Sequence, residues 1–334
     1  MRTTPTILRL GAILVLCAAT FAWSSRAEAQ AQTQTSTQTW PQRPVKFVLP
    51  LGPGAGVDIT ARLLGDRLGT RWGQSVVIDN RPGGDGILAI TAFTGAQDDH
   101  TFLLSPTSSF THHPWTQEKL AYDPRDLVPV ARLTNTLVAI VVPASLPANS
   151  LAELVAAVRA EPGKLNWATT TGFFDFMFEG FQKKAGLEIA KVPYRNPVQA
   201  VQDLAEGRIQ LMILAYAIVR PLVDSGKLKV LAFTARERAA IAPDIPTAAE
   251  AGFPDLTIEG LAGLFGPKTL RGETRDRIAA DIRELLGEQA IAARLTATGQ
   301  VVNFGTAAEF GAAIEAQRAQ AAAAGKLIGA KPAQ

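Results

Sequence analysis

The stretch Pro50-Leu51-Gly52-Pro53-Gly54-Ala55-Gly56-Val57-Asp58 decides how the rest of the chain is read. It follows an apolar run, Val45 to Leu49, that reads as a buried strand. It precedes Ile59 to Trp72, where Ile59/Leu63 and Leu64/Leu68/Trp72 recur at helical spacing, so strand, glycine loop and helix come in sequence. Three glycines let the backbone turn sharply and bring its N–H groups close to a ligand, and the helix N-terminus adds partial positive charge. The loop therefore reads as an anion cradle, open to a phosphate or a carboxylate. Asp58 has two readings, a ligand contact or an N-cap of the following helix.

Outward from this loop, strand-like and helix-like stretches alternate. Val76–Ile78 is a second short strand, Ile87–Phe93 an apolar helix, and Phe102–Leu104 a third strand that opens into a hydroxyl-rich loop with Ser105, Thr107, Ser108 and Ser109. Val138–Val142 is apolar and β-branched without alternation, long enough to leave one lobe for another. A second series follows, with a capping box at Ser150-Leu151-Ala152-Glu153 and a strand over Leu165–Ala168. The loop Thr169 to Asp175 then leads to another helix. Asn196 reads as the N-cap, with Pro197 at N1, of a helix to Ala205, and Ile209–Leu214 and Val230–Phe233 as strands. Thr247-Ala248-Ala249-Glu250 and Thr306-Ala307-Ala308-Glu309 are two more capping boxes. This order predicts an α/β protein of two lobes, each a mainly parallel sheet flanked by helices. Residues 40–140 and 264–334 are assigned to the first lobe and 141–263 to the second.

The chain has 334 residues, 47% hydrophobic and 19% charged, enough for such a pair of cores. Residues 1–29 stand apart. Arg2 and Arg9 bracket the start, Leu10 to Ala22 is apolar, and Ala27-Glu28-Ala29 places small residues at −3 and −1, the layout of a cleaved secretory signal peptide. A retained signal anchor is the alternative, although the apolar run is short of the roughly 20 residues of a membrane span. Residues 30–39, rich in Gln and Thr, read as a disordered spacer. The single cysteine, Cys17, falls in the removed segment, so a mature chain holds no thiol chemistry. Removal of 1–29 also changes 33 basic against 30 acidic residues into 30 against 29, a balance that argues against nucleic acid as a partner.

Catalytic signatures are sparse. Gly52, Gly54 and Gly56 spell G-x-G-x-G with Val57 where a dinucleotide fingerprint wants glycine, and Asp79 sits where a ribose-binding acid is expected, which keeps a dinucleotide reading open. The P-loop, H-E-x-x-H and G-x-S-x-G patterns are missing. His112 and His113 read as solvated loop histidines rather than a catalytic pair, and no metal site is expected. The loop Thr169-Thr170-Thr171-Gly172 offers hydroxyls at a strand end before a helix, where they can meet an anion or simply cap the helix. Phe174, Phe178 and Phe181 at i, i+4, i+7 read as core, whereas one of Phe173 and Phe176 is expected to face the cleft.

Six motifs in one order carry a resemblance. They are Trp40-Pro41-x-Arg43-Pro44, the glycine loop, Asn80-Arg81-Pro82-Gly83, Val192-Pro193-Tyr194-Arg195, Asp244-Ile245-Pro246-Thr247-x-x-Glu250-Ala251-Gly252 and Gly263-Leu264-Phe265-Gly266-Pro267. From Trp40 to about Ile328 the chain resembles the extracytoplasmic solute receptors of tripartite tricarboxylate transporters, the TctC or Bug-type receptors. The resemblance implies a two-lobe type II periplasmic binding fold that closes on a small carboxylate, with no catalysis, no cofactor, membrane transporter subunits as partners and a monomeric receptor. It implies ligand contacts from Gly54, Ala55, Gly56 and Asp58 in the first loop and from Thr169, Thr170, Thr171 and Gly172 in the second. A third family position falls at Leu214-Ala215, making Ala215 a candidate. Ser105 and Phe173 complete the expected wall, and Arg195 is the cation expected at the cleft or in a salt bridge between elements.

The chain also departs from that pattern. Ala55 and Val57 interrupt a loop that commonly has three consecutive glycines and then Thr-Asp. The second loop is about two residues short, carries Phe173 and Phe174, and has Asp175 near the usual histidine. Fewer polar groups suit a monocarboxylate with an apolar or aromatic body better than citrate. An α/β enzyme, dinucleotide-dependent or hydrolytic, and a ligand-presenting sensor for a membrane signalling protein are the competing readings.

Overall fold

The computed structural model describes residues 40–169, 172–194 and 197–333. The expected signal peptide and spacer lie outside them. The chain groups into two units, Met1–Gln42 and Arg43–Gln334. Of the first, only Trp40, Pro41 and Gln42 are described; the second carries both sheets.

The predicted alternation opens the second unit: β1 (Val45–Leu49), α1 (Gly56–Trp72), β2 (Val76–Asn80), α2 (Ile87–Ala96) and β3 (Thr101–Pro106). β1 lies between β2 and β3, parallel to both. After a short helix, α3 (His113–Thr116), strand β4 (Val128–Thr136) is followed after one residue by β5 (Val138–Pro143), and the two belong to different sheets. The second lobe then adds α4 (Leu151–Ala160), β6 (Asn166–Thr169), α5 (Gly172–Ala185), β7 (Ala190–Lys191), α6 (Pro197–Ala205), β8 (Leu211–Ala215), α7 (Tyr216–Asp224) and β9 (Leu228–Phe233). Strand β10 (Gly260–Gly266) returns to the first sheet, and α8 (Gly272–Leu286), α9 (Gln289–Ala297), β11 (Gln300–Thr306) and α10 (Ala307–Ile328) complete the chain. The sheet orders are β11-β4-β10-β3-β1-β2 and β7-β6-β8-β5-β9.

The two-lobe α/β fold is therefore present, but both sheets are mixed rather than mainly parallel. β10 runs antiparallel to β3 and β4, β11 antiparallel to β4, and β5 antiparallel to β8 and β9. The strands that carry the chain between lobes cause this, because they enter each sheet from the side of the other. Pairing also begins the return at Gly260, opposite Thr136, four residues before Leu264.

β5 lacks polar alternation because both of its faces are covered. Val138, Ile140 and Val142 join a cluster with Leu151, Leu154 and the phenylalanines of α5, while Leu137, Ala139 and Val141 join Ala200, Leu204 and Val219 on the other side. In the first lobe Val48, Leu103, Ile90 and Phe265 pack with Phe310 and Ile314 of α10. The far end of α10 belongs elsewhere: Ala321 and Ala324 sit in the second-lobe cluster. At a rise of about 1.5 Å per residue the 22 residues of α10 reach both cores. Assigning all of 264–334 to the first lobe is corrected accordingly.

The capping boxes are made in different ways. Thr306 accepts from Glu309 N while the Glu309 carboxylate accepts from Thr306 N at 2.8 Å, and α10 follows. Thr247 and Glu250 make the same exchange, but only a turn forms before Gly252, at φ 90, and Pro254 stop it. Thr306→Ala should cost about 1 kcal/mol, read as a lower urea midpoint with an unchanged slope.

Candidate ligand-binding site

The glycine loop is a hydrogen-bonded knot built around Asp58. This residue is 2% exposed and stands at the third position of α1. Its Oδ2 accepts from Gly54 N at 2.9 Å and from Arg62 Nε at 3.0 Å, and its Oδ1 accepts from Asn80 Nδ2 at 3.0 Å. Asn80 also donates to Leu51 O at 2.8 Å, so the Asn-Arg-Pro-Gly turn and the glycine loop are tied by one side chain. Burial alone would raise the Asp58 pKa; the bonds from Arg62, Gly54 and Asn80 outweigh it and hold the carboxyl below its usual range.

Asp58 therefore shapes the loop, and its carboxylate is fully engaged within it. The N-cap position belongs to Ala55, whose side chain offers no cap, and the N–H of Ala55 is turned to Gly52 O at 3.3 Å. Gly54 needs to be glycine, at φ 85, and its N–H is committed to Asp58. What the loop leaves for an anion is the first turn of α1, where the N–H groups of Gly56, Val57 and Asp58 have no intrahelical partner. Gly56 also lacks room for a side chain: an added Cβ would stand 2.1 Å from Gln300 Nε2.

That contact ties the loop to β11, whose preceding residue touches the second lobe. The Gln300 amide lies beside the hydroxyls of Thr134 and Thr136. Its neighbour Gly299, at φ 71, approaches Ala217 so closely that a Cβ there would be 3.1 Å from the Ala217 Cβ. Ala215, the third candidate position, is the residue from which α7 starts, opposite Val138. Gly56 and Ala215 thus belong to segments joined through Gly299 and Gln300.

The second loop meets the first lobe elsewhere. Thr169 ends β6 beside Ile213, and its Oγ1 is buried with no hydrogen-bond partner among the described residues. Thr170, Thr171 and Arg195 lie outside the described residues. Gly172 opens α5 against Asp85; a Cβ on it would be 2.8 Å from Asp85 Oδ2 and 3.2 Å from His112 Nε2. Phe173 is fully buried and meets the His112 ring edge-on at 5.8 Å, and Phe176 lies 6.4 Å from the same ring. Both are in the second-lobe core, so neither is an exposed cleft residue as expected, and they reach the first lobe through His112. Phe174, Phe178 and Phe181 are in that core as read from their spacing. Asp175 pairs with Lys191 at 3.1 Å; burial first, then Glu179 and Asp85 nearby, raise its pKa despite that lysine.

The hydroxyl loop after β3 is turned inward. Ser105 is fully buried and donates to Pro106 O at 2.9 Å. Thr107 bonds the Gln317 amide of α10, and Thr111 donates to that same oxygen at 3.3 Å. The histidines beyond it are not solvated: His112 and His113 are 1% and 0% exposed, and both turn toward Asp85. The reading of a wet loop fails because the β2–α2 turn, remote in sequence, folds over the pair. Asp79 is bonded by Arg81 Nε at 3.0 Å, so the acid considered for a ribose has a partner within its own turn. Two surface hollows of about 570 and 450 Å³, one beside Trp115 and Lys331 and one beside Ser145 and Gln202, are lined by none of the candidate residues.

Residues 60–329 match the tripartite tricarboxylate transporter family receptor. The chain belongs to that receptor family. A UPF0065 protein of Bordetella bronchiseptica is 31% identical to this receptor over 291 residues, covering 85% of each chain. Among solved structures, R. palustris Rpa4515 with adipate superposes with a TM-score of 0.75 at 29% identity, covering 88% of this receptor and 99% of that chain. MatC from Rhodopseudomonas palustris with bound malate gives 0.74 at 26% identity, covering 86% and 100%. The family is one of transporter receptors rather than of dinucleotide-dependent enzymes. Among the described residues no helix is long and apolar enough to cross a membrane.

Proposed function

We propose that this chain is a periplasmic receptor that captures a small organic carboxylate and delivers it, as a monomer, to the membrane subunits of a tripartite tricarboxylate-type transporter. The observation that carries the reading is the Thr169 hydroxyl, buried and without a partner among the described residues at the carboxyl end of β6. A buried unpaired hydroxyl costs about 1–3 kcal/mol, which an acceptor on the solute would recover. The N–H groups of the α1 first turn, which have no intrahelical partner, supply the complementary donors. Relatives that hold adipate and malate support a carboxylate. Thr170, Thr171 and Gly172 belong to the same proposed wall.

The proposed solute has an apolar or aromatic body. The second loop runs into Phe173 and Phe174 rather than into polar side chains, and Arg62, beside the first loop, is bonded to Asp58. Calorimetry with benzoate, adipate, malate and citrate should rank the first two above citrate. Tight citrate binding with no heat from the apolar acids would sink this preference. Thr169→Val keeps the shape of the side chain and should weaken the tightest acid about three- to tenfold without lowering the melting temperature of the free protein. Unchanged affinity would remove β6 from the site.

A further inference from the structure

The sequence shows no metal spacing, yet folding brings three donors from two distant loops together. His112 Nε2 lies 2.6 Å from Asp85 Oδ2, and His113 Nε2 lies 3.7 Å from the same oxygen and 3.1 Å from the Asp85 carbonyl. One ligand atom from each of the three residues falls within 4.8 Å of the other two. We propose that Asp85, His112 and His113 form a binding site for a divalent first-row transition-metal ion, with Zn²⁺ as the reference.

Three observations support it. Two imidazole nitrogens and one carboxylate oxygen are a donor set that such ions favour and that Mg²⁺ and Ca²⁺ do not, and three protein donors leave positions for water or a solute oxygen. The donors are also held in place. Asp85 takes φ 53, ψ 37 between Gly84 at φ 57 and Gly86 at φ 95, a left-handed conformation that is uncommon for a residue with a side chain. His113 Nδ1 is 2.8 Å from the Tyr122 hydroxyl, which fixes the ring from behind. Finally, His112 is 1% exposed and turns Nε2 to Asp85, so a buried imidazole already faces the other two donors.

The position gives the ion a consequence. Gly172 packs against Asp85 and His112, so the site lies where the second lobe touches the first. Bound metal would bear on that contact directly. The inference stands apart from the identity of the solute.

The test uses tag-free protein stripped with EDTA and dialysed. Zn²⁺ titrated alone by calorimetry should bind one ion per chain, and Co²⁺ should give a visible absorption band on the same stoichiometry. Asp85→Asn and His113→Gln should each weaken Zn²⁺ at least about tenfold, and Tyr122→Phe should weaken it several-fold. Should His113→Gln lose its circular dichroism, Asp85→Asn and Tyr122→Phe decide. Wild-type protein that binds neither ion, or Zn²⁺ affinity that folded Asp85→Asn retains, overturns the proposal. Acid binding measured in EDTA tests the receptor reading alone, so failure of either can be told from failure of the other.

Discussion

Asp58→Ala should cost about 3 kcal/mol of stability and weaken acid binding at least about tenfold, although its carboxylate is engaged inside the loop rather than offered to a ligand. The carboxylate accepts from Gly54 N, and it shares Asn80 Nδ2 with Leu51 O. Removing it takes the acceptor from the part-buried Gly54 N–H and leaves the Asn-Arg-Pro-Gly turn held to the glycine loop by Leu51 O alone of the two acceptors of Asn80. Charge-assisted bonds to a buried group are worth about 1.5–3 kcal/mol each, and the bond to half-exposed Arg62 is weakened by solvent screening. Binding should fall with stability because the loop sets the direction of the Gly56 and Val57 N–H groups, which have no intrahelical partner. The pH dependence has a definite sign. The folded-state pKa is lowered, so this stabilisation is present above the ordinary carboxylate range and is lost as pH falls through and below it. Urea midpoints of wild type and Asp58→Ala should converge toward acid pH. A variant with the wild-type midpoint at pH 7 would falsify the knot.

Much of this was legible in the residues. β1 runs from Val45 to Leu49 as read, and the helix after the glycine loop ends at Trp72. β5 was visible as an apolar run without alternation because both of its faces are covered. β4 was not visible. Two register shifts against β10, between Ala262 and Gly263 and between Leu264 and Phe265, break the period of two on which strand reading depends. At the candidate site, sequence order does not disclose which atoms hold one another. Nothing local to Asp58 says that Asn80, 22 residues on, will occupy Oδ1. His112 and His113 looked wet because a dipeptide carries no information about the turn that covers it. A left-handed Asp85 between two glycines is the one signal that could have been sought, since a Gly-Asp-Gly turn presents its side chain to whatever lies across from it.

The other large effect is expected far from the loop, at Gly263→Ala. A Cβ on Gly263 would stand 2.2 Å from Phe310 Cε1, 2.4 Å from its Cζ and 2.6 Å from Ala131 O. The carbonyl belongs to the paired strand β4 and cannot yield, so the ring must move. Phe310 is fully buried and packs on Phe265 at 5.1 Å, which itself meets Phe110 at 5.4 Å, so there is nowhere near for it to go. Displacing it shifts α10, whose other end lies so close to α5 that a Cβ on Gly180 would be 2.7 Å from the Ala324 Cβ. Overpacking of this kind costs about 3 kcal/mol, and because α10 serves both cores the loss should appear as one cooperative transition at a lower midpoint. Phe310→Leu alone should cost about 1–2 kcal/mol through lost ring contacts. Combined with Gly263→Ala it should cost less than the two singles together, since the smaller side chain vacates the space the new methyl needs. Strict additivity of the two would mean that methyl and ring do not compete, and that α10 is held to β10 by something other than this contact.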